Sequence, residues 1–331
     1  MGKVRRALLG TACLALATLA SAAVAQGVGG VSNSGVAGAV GLQFTPQSVA
    51  NTMAWDTSHA GSPAPSTAGW GHPLSDPFTD CTRIATMPSK GWDFTHAWFS
   101  YTGGSAGGTT GIIWQDQTNA HSPISCANGH LDLTVSNPTG TQWQGAQIMS
   151  EPLGPAAGGV AVQYGYFVAD VVLPPPPSGM EPWPAGWNTA CTTTLARTTP
   201  CVEIDGLEGL GSPTTPAMVT TGHIWPATTP TTYQVTAHHQ QQFTPAQTYD
   251  GQHHVYGTLF THDNIILYLD GFEQARMNIA AFGDDFRYPQ AFLFDNDLLA
   301  FANTSQTYTM SVYKADIYTP PAGSCYVNGG C

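Results

Sequence analysis

Positive charge is scarce in this sequence. Lys and Arg together number 9 in 331 residues against 21 Asp and Glu, and charged residues of both signs make up only 9% of the chain. A partner that is a nucleic acid or an anionic membrane is disfavoured by that sign. Helix-compatible stretches are also short, because 37 Gly and 25 Pro interrupt the chain, which argues against helical bundles and coiled coils. No CxxC spacing is present, so a structural zinc site is not indicated. Long apolar runs are missing after the first 25 residues, and with them any later candidate for a membrane span. With 42% hydrophobic residues the chain is nonetheless rich enough for one large core, and a single domain of about 200–250 residues plus flanking segments is expected.

The N-terminus has a basic start at Lys3, Arg5 and Arg6, an apolar run from Ala7 to Ala20 and a small-residue exit at Ala23-Val24-Ala25. This layout predicts a secretory signal peptide over residues 1–25. Its removal leaves 6 basic against 21 acidic residues. Outside it lie Cys81, Cys126, Cys191, Cys201, Cys325 and Cys331, which in an exported chain suggests three disulfides. Local spacing favours Cys191 with Cys201 and Cys325 with Cys331, leaving Cys81 with Cys126, although six cysteines allow fifteen pairings.

Residues 26–74 are dominated by Gly, Ala, Ser, Val and Pro and read as a flexible leader. Beyond them apolar and polar residues alternate in short runs. Leu131, Leu133 and Val135 share one face, as do Val162, Tyr164, Tyr166 and Val168, and then Tyr308, Met310 and Val312. A period of two predicts strands. Ile265 to Leu269, Asp270-Gly271 and Phe272 predict a hairpin. Many short strands without a fixed repeat predict an all-β antiparallel sandwich.

Glu203-Ile204-Asp205-Gly206-Leu207-Glu208 places three acids in six positions of a charge-poor chain. On a strand Glu203 and Asp205 share a face, and strict alternation sends Glu208 to the other. One extra residue, a β-bulge, returns Glu208 to the first face, and Gly206 is a residue that tolerates the positive φ of some bulges. Clustered carboxylates raise one another's pKa, which favours one ionised and one protonated member. Retaining glycoside hydrolysis needs that pair, a nucleophile and an acid about 5–5.5 Å apart. Asp205 between them is the charge expected to orient the nucleophile and help keep Glu208 protonated. Trp183 and Trp187 precede the acids, and Trp143 and Trp225 extend a set of rings that can stack on sugar faces.

With these residues in view the sequence resembles glycoside hydrolase family 16. Glu203 to Glu208 matches its E-x-D-x-x-E signature in the bulged, laminarinase-like form. Tyr164 to Asp170 is similar to its Y-G-x-[FY]-E-A-[RK] strand and Trp183 to Trp187 to its W-P-A-x-W segment. His254-Val255-Tyr256, Leu267 to Gly271 and Met310 to Tyr318 resemble later strands. Gly206, Asp170-Val171 and Phe260 depart from the pattern. The resemblance spans roughly residues 75–320, with 321–331 as a Cys-containing tail.

What the resemblance implies is a concanavalin A-like β-jelly roll of two antiparallel sheets with a concave glycan cleft. It also implies endo-acting, retaining hydrolysis, with Glu203 as nucleophile, Asp205 as its electrostatic partner and Glu208 as general acid/base. Trp183, Trp187, Trp225, Trp143 and His223 become the expected substrate contacts. No cofactor is expected in catalysis, and a structural Ca2+ is a further implication, with Asp284-Asp285 and Asp295-Asn296-Asp297 as candidate ligands. A polysaccharide is the expected partner of a secreted monomer with no membrane attachment after signal removal. Few basic residues favour a neutral glucan over sulfated polymers, and the bulged motif points to β-1,3-glucan. A transglycosylase and a catalytically silent carbohydrate-binding jelly roll are the alternatives.

Overall fold

The computed structural model describes residues 55–86, 98–100, 112–151, 159–190, 201–212, 215–225, 237–243, 249–280, 288–301 and 305–331. Residues 1–54, with the expected signal peptide, lie outside them. Short strands come first: β1 (Trp55–Asp56), β2 (Gly71–Asp76), β3 (Ile84–Thr86), β4 (Trp98–Ser100), β5 (Ile113–Trp114) and β6 (Ile124–Ala127). They are followed by β7 (His130–Val135), β8 (Gln144–Met149), β9 (Ala161–Val162), β10 (Gly165–Val172), β11 (Met180–Thr189) and β12 (Cys201–Ser212). The remaining strands are β13 (Thr215–Trp225), β14 (Ala237–Phe243), β15 (His253–Phe260), β16 (Asn264–Leu269), β17 (Phe272–Asn278), β18 (Gln290–Phe301) and β19 (Tyr308–Thr319).

Two sheets result. One runs β1-β17-β16-β15-β10-β19-β7-β6, with β2 also on β19. The other runs β14-β13-β12-β11-β18-β8-β4-β3, with β5 on β8 and β9 on β18. This is the expected sandwich, with antiparallel pairing throughout except for the short pairs β3–β4 and β5–β8, which are parallel. Alternation explains the core between the sheets. Leu131, Leu133 and Val135 of β7, and Tyr308, Met310 and Val312 of β19, are all buried, while their strand neighbours are partly exposed. Asp270 and Gly271 take φ of 52° and 80° and turn β16 into β17 with Leu269 opposite Phe272. Two consecutive positive φ values suit the right-handed twist of a two-residue hairpin, and Asp-Gly supplies them at little cost.

One expectation needs correction, the flexible leader over residues 26–74, and the structure shows which way the shared face of β10 turns. On β10 the core-facing residues are Phe167, Ala169 and Val171. Tyr166 instead joins Leu259, Ile266 and Tyr268 in a separate cluster packed by Trp70, Val168, Tyr318 and Tyr326. That far face is apolar because both ends of the domain lie over it. The leader therefore ends well before residue 74: Trp55 is buried and paired with Met277, and the Gly61 and Ala64 N–H groups donate to Glu273 and Gly271. Its bland composition concealed two tryptophans that need burial. The C-terminal tail is likewise docked. Its short helix α1 (Cys325–Asn328) is closed by the Cys325–Cys331 disulfide, and Asn264 donates to the Cys331 carbonyl. A second disulfide joins Cys81 to Cys126, and Cys191 lies outside the described residues.

Candidate active site

The site is built on β12, β11 and β18, neighbours in the second sheet. On β12 the register with β13 runs Asp205 opposite Thr221 and then Glu208 opposite Val219, so Gly206 and Leu207 together face one residue. Against β11 the same irregularity appears, with Trp187 opposite Asp205 and Gly186 opposite Leu207. This is the expected bulge. It puts Glu203, Asp205 and Glu208 along one cleft while Ile204 and Leu207 are buried in the core. The reason for glycine at 206 differs from the expected one. Gly206 does not adopt positive φ, and a Cβ there would collide with the Thr258 hydroxyl on the facing sheet. Close approach between the layers, rather than backbone conformation, requires it.

Two prolines sit in β11, which is unusual for a central strand. The ladder to β12 begins at Ala185, one residue beyond Pro184, so the missing N–H groups fall outside that ladder. Trp183, Ala185 and Trp187 then share the cleft face. With the three acids of β12 and with Asp295 and Asp297 of β18 they line one cleft. Both indole N–H groups are spent on carboxylates. Trp183 Nε1 donates to Glu208 Oε1 at 3.1 Å, and Thr221 Oγ1 donates to Glu208 Oε2 at 3.0 Å. Trp187 Nε1 donates to Asp295 Oδ2 at 2.9 Å.

No protein-family model and no curated protein matches the chain by sequence. Solved structures do match. A family 16 endo-glucanase from Bacteroides ovatus superposes with a TM-score of 0.54 at 18% identity, covering 74% of this chain and 99% of its own. The catalytic domain of an endo-1,3-β-glucanase (laminarinase) from Thermotoga petrophila gives 0.55 at 18%, covering 75% and 97%. A laminarinase from a Flavobacterium species gives 0.52 at 18%, covering 75% and 100%. The fold is that of glycoside hydrolase family 16.

Within this family 16 fold the expected site residues are distributed as follows. Glu203, Asp205, Glu208, Trp183 and Trp187 come together in the cleft. Trp143 does not. It is buried in the core with Trp114 and Ile148, because its position just before β8 turns the ring between the sheets. The backbones of His223 and Trp225 pair with Glu203 and Cys201, and their side chains lie outside the described residues.

Asp295-Asn296-Asp297, named above among the candidate calcium ligands, is divided by its strand. Alternation sends Asn296 to the core side, where its Nδ2 donates to the Leu133 and Tyr308 carbonyls, so the three side chains do not converge. Among the described residues no group of three His, Cys, Asp or Glu side chains is arranged to hold a metal ion. Asp284-Asp285 lies outside the described residues. The two aspartates are instead cleft residues that the sequence reading missed as such. The signal was present in their i, i+2 spacing on a strand.

Burial governs the charge of this cleft. It pushes the Asp205 carboxyl up to about 8, and that of Asp295 up to about 7 despite the hydrogen bonds from Trp187 and Gln147. Asp297 is raised well above its ordinary value for the same reason. Burial therefore favours the neutral form of Asp205, which was expected as a charge.

A stability profile follows with a definite sign. The folded chain keeps protons that the unfolded chain releases above about pH 4, so stability falls as pH rises from about 4 toward 7–8. The slope is roughly 1.4 kcal/mol per pH unit for each acid so held. Melting temperatures taken across that window are expected to fall, and Asp295→Asn to flatten the decline. A flat wild-type profile would show that these acids ionise freely in the fold.

Proposed function

We propose that this protein is a secreted, endo-acting, retaining glycoside hydrolase that cleaves a neutral β-glucan, with β-1,3-glucan as its substrate. The observation that carries the reading is the bulge at Gly206, which sets two glutamates and an aspartate along one groove beside two tryptophans. A binding protein has no use for a nucleophile and an acid on the same face, and a solvated acidic strand would not bury them.

In this reading Glu203 attacks the anomeric carbon while Glu208 gives its proton to the leaving glycosidic oxygen. The glycosyl–Glu203 ester is then hydrolysed by water that Glu208, now the base, deprotonates. Asp205, neutral and two residues from the nucleophile, orients it by donating a hydrogen bond. Thr221 and the Trp183 indole fix Glu208 through separate oxygens.

Neutral substrates are favoured because the described lining is acidic, aromatic or alanine, and the described cations are paired elsewhere: Arg83 with Asp76, Arg276 with Glu273 and Lys314 with Asp316. The disulfides accord with an exported chain. β-1,3-Linkage rests on the laminarinase-like motif and on fold neighbours described as laminarinases.

Incubation with a panel of neutral and sulfated polysaccharides, followed by product sizing, tests the proposal. Short oligosaccharides from β-1,3-glucan, released initially with the β-configuration, are expected. Binding without new reducing ends would favour the silent carbohydrate-binding alternative, and longer products from added acceptor sugars would favour the transglycosylase.

A further inference from the structure

Asp295 and Asp297 take no part in the chemistry above, yet both line the cleft. Asp295 receives its two hydrogen bonds on a single oxygen, Oδ2, from Trp187 at 2.9 Å and from Gln147 Nε2 at 3.3 Å. Asp297 Oδ1 accepts the Leu298 N–H at 2.7 Å. Its Oδ2 is buried without a hydrogen-bond partner, in a residue 2% exposed. A carboxyl oxygen left in that condition destabilises a fold, and an apolar side chain of the same shape would remove the cost. Polar groups retained at such a cost beside a cleft are characteristic of function.

The sheet sets the spacing. Ala185 stands opposite Glu208 on one side and opposite Asp295 on the other. Two interstrand steps of about 4.7–4.9 Å therefore separate the catalytic strand from β18 across a floor that is only a methyl group deep. One sugar ring with a hydrogen bond at each edge fits that width. Along β18 the two aspartates are about 6.5–7 Å apart, within reach of two hydroxyls of the same or adjoining rings.

We infer that Asp295 and Asp297 form a hydroxyl-binding rail for a neutral pyranose, Asp295 facing Glu208 across Ala185 and Asp297 standing opposite Trp183, with Asp297 Oδ2 as its anchoring atom. A protonated carboxyl gives one hydrogen bond and accepts another, as a sugar hydroxyl does, and the burial that raises both aspartates above their ordinary range favours that form. The inference rests on the cleft being a glycan site, and deepens that reading by naming which groups of the sugar it holds.

The test is calorimetric titration of a β-1,3-gluco-oligosaccharide into Glu203→Gln and into the same variant carrying Asp297→Leu or Asp297→Asn, alongside melting temperatures without sugar. The Leu variant is expected to bind about tenfold more weakly, the loss of one buried hydrogen bond, while still folding cooperatively and melting near the parent temperature, since loss of the Leu298 N–H acceptor offsets removal of the unpartnered oxygen. The Asn variant, which can still donate and accept, is expected to stay within roughly threefold of the parent. Equal affinity of the Leu variant and its parent would overturn the rail and leave the hydrolase standing. A wild type that binds the sugar without cleaving it, with weakened binding by the Leu variant, would overturn the hydrolase and support the rail. Lack of binding by every form, wild type included, would overturn the rail.

Discussion

Glu203→Gln is expected to lower turnover of β-1,3-glucan by roughly 10⁴-fold or more while glycan affinity stays within a few fold. Gln has the size of Glu but cannot form the ester that carries the first half of a double displacement. Glu203 is 6% exposed and stands opposite Thr189 and His223, so an isosteric amide leaves the strand register undisturbed. Loss of turnover with binding intact separates a nucleophile from a residue that merely shapes the groove. A variant that kept near-native rates would remove Glu203 from that role.

Glu208→Gln is expected to divide substrates by leaving group. Natural glucans, whose leaving alkoxide must be protonated, should lose about 10²–10⁴ in rate, because that is the usual contribution of a positioned general acid. Aryl β-glycosides with acidic phenols need no such proton and should form the glycosyl-enzyme at nearly wild-type rates. Added azide should then restore product formation by replacing the base-activated water. The hydrogen bonds from Trp183 and Thr221 predict that the amide stays in place, so the effect reports chemistry rather than displacement. Equal losses on glucans and aryl glycosides would argue that Glu208 acts on binding or on the fold.

Much of this site was legible because strand periodicity and one motif agree. Three acids at 203, 205 and 208 fit a single face only through an inserted residue, and the register shifts there against both neighbouring strands. The choice of Gly206 was legible, but its cause was not. The Thr258 hydroxyl that excludes a side chain comes from the other sheet, about fifty positions away, and nothing local announces it.

Trp143 illustrates the opposite failure. A tryptophan near a cleft motif invites a sugar-stacking role, yet large rings are what a sandwich core consumes, and only the fold decides which way one turns. Asp295 and Asp297 were visible as two acids flanking Asn296, and contiguity suggested a shared calcium ion. The period of two that identified the other strands would have divided them, with Asn296 toward the core and the aspartates toward the cleft. The docked segment from Trp55 onward was obscured by composition, since low charge and many small residues describe a flexible leader and a strip lying over a sheet equally well.

The most direct measurement of the central claim is covalent trapping. Incubation with a 2-deoxy-2-fluoro-β-glucosyl donor bearing a good leaving group slows hydrolysis of the intermediate more than its formation, and intact-protein mass spectrometry then reads the adduct. One glycosyl unit per chain is predicted, mapped by peptide sequencing to Glu203 and missing from Glu203→Gln. An adduct on Glu208 or Asp295, or steady hydrolysis of an ordinary substrate with none at all, would contradict the account.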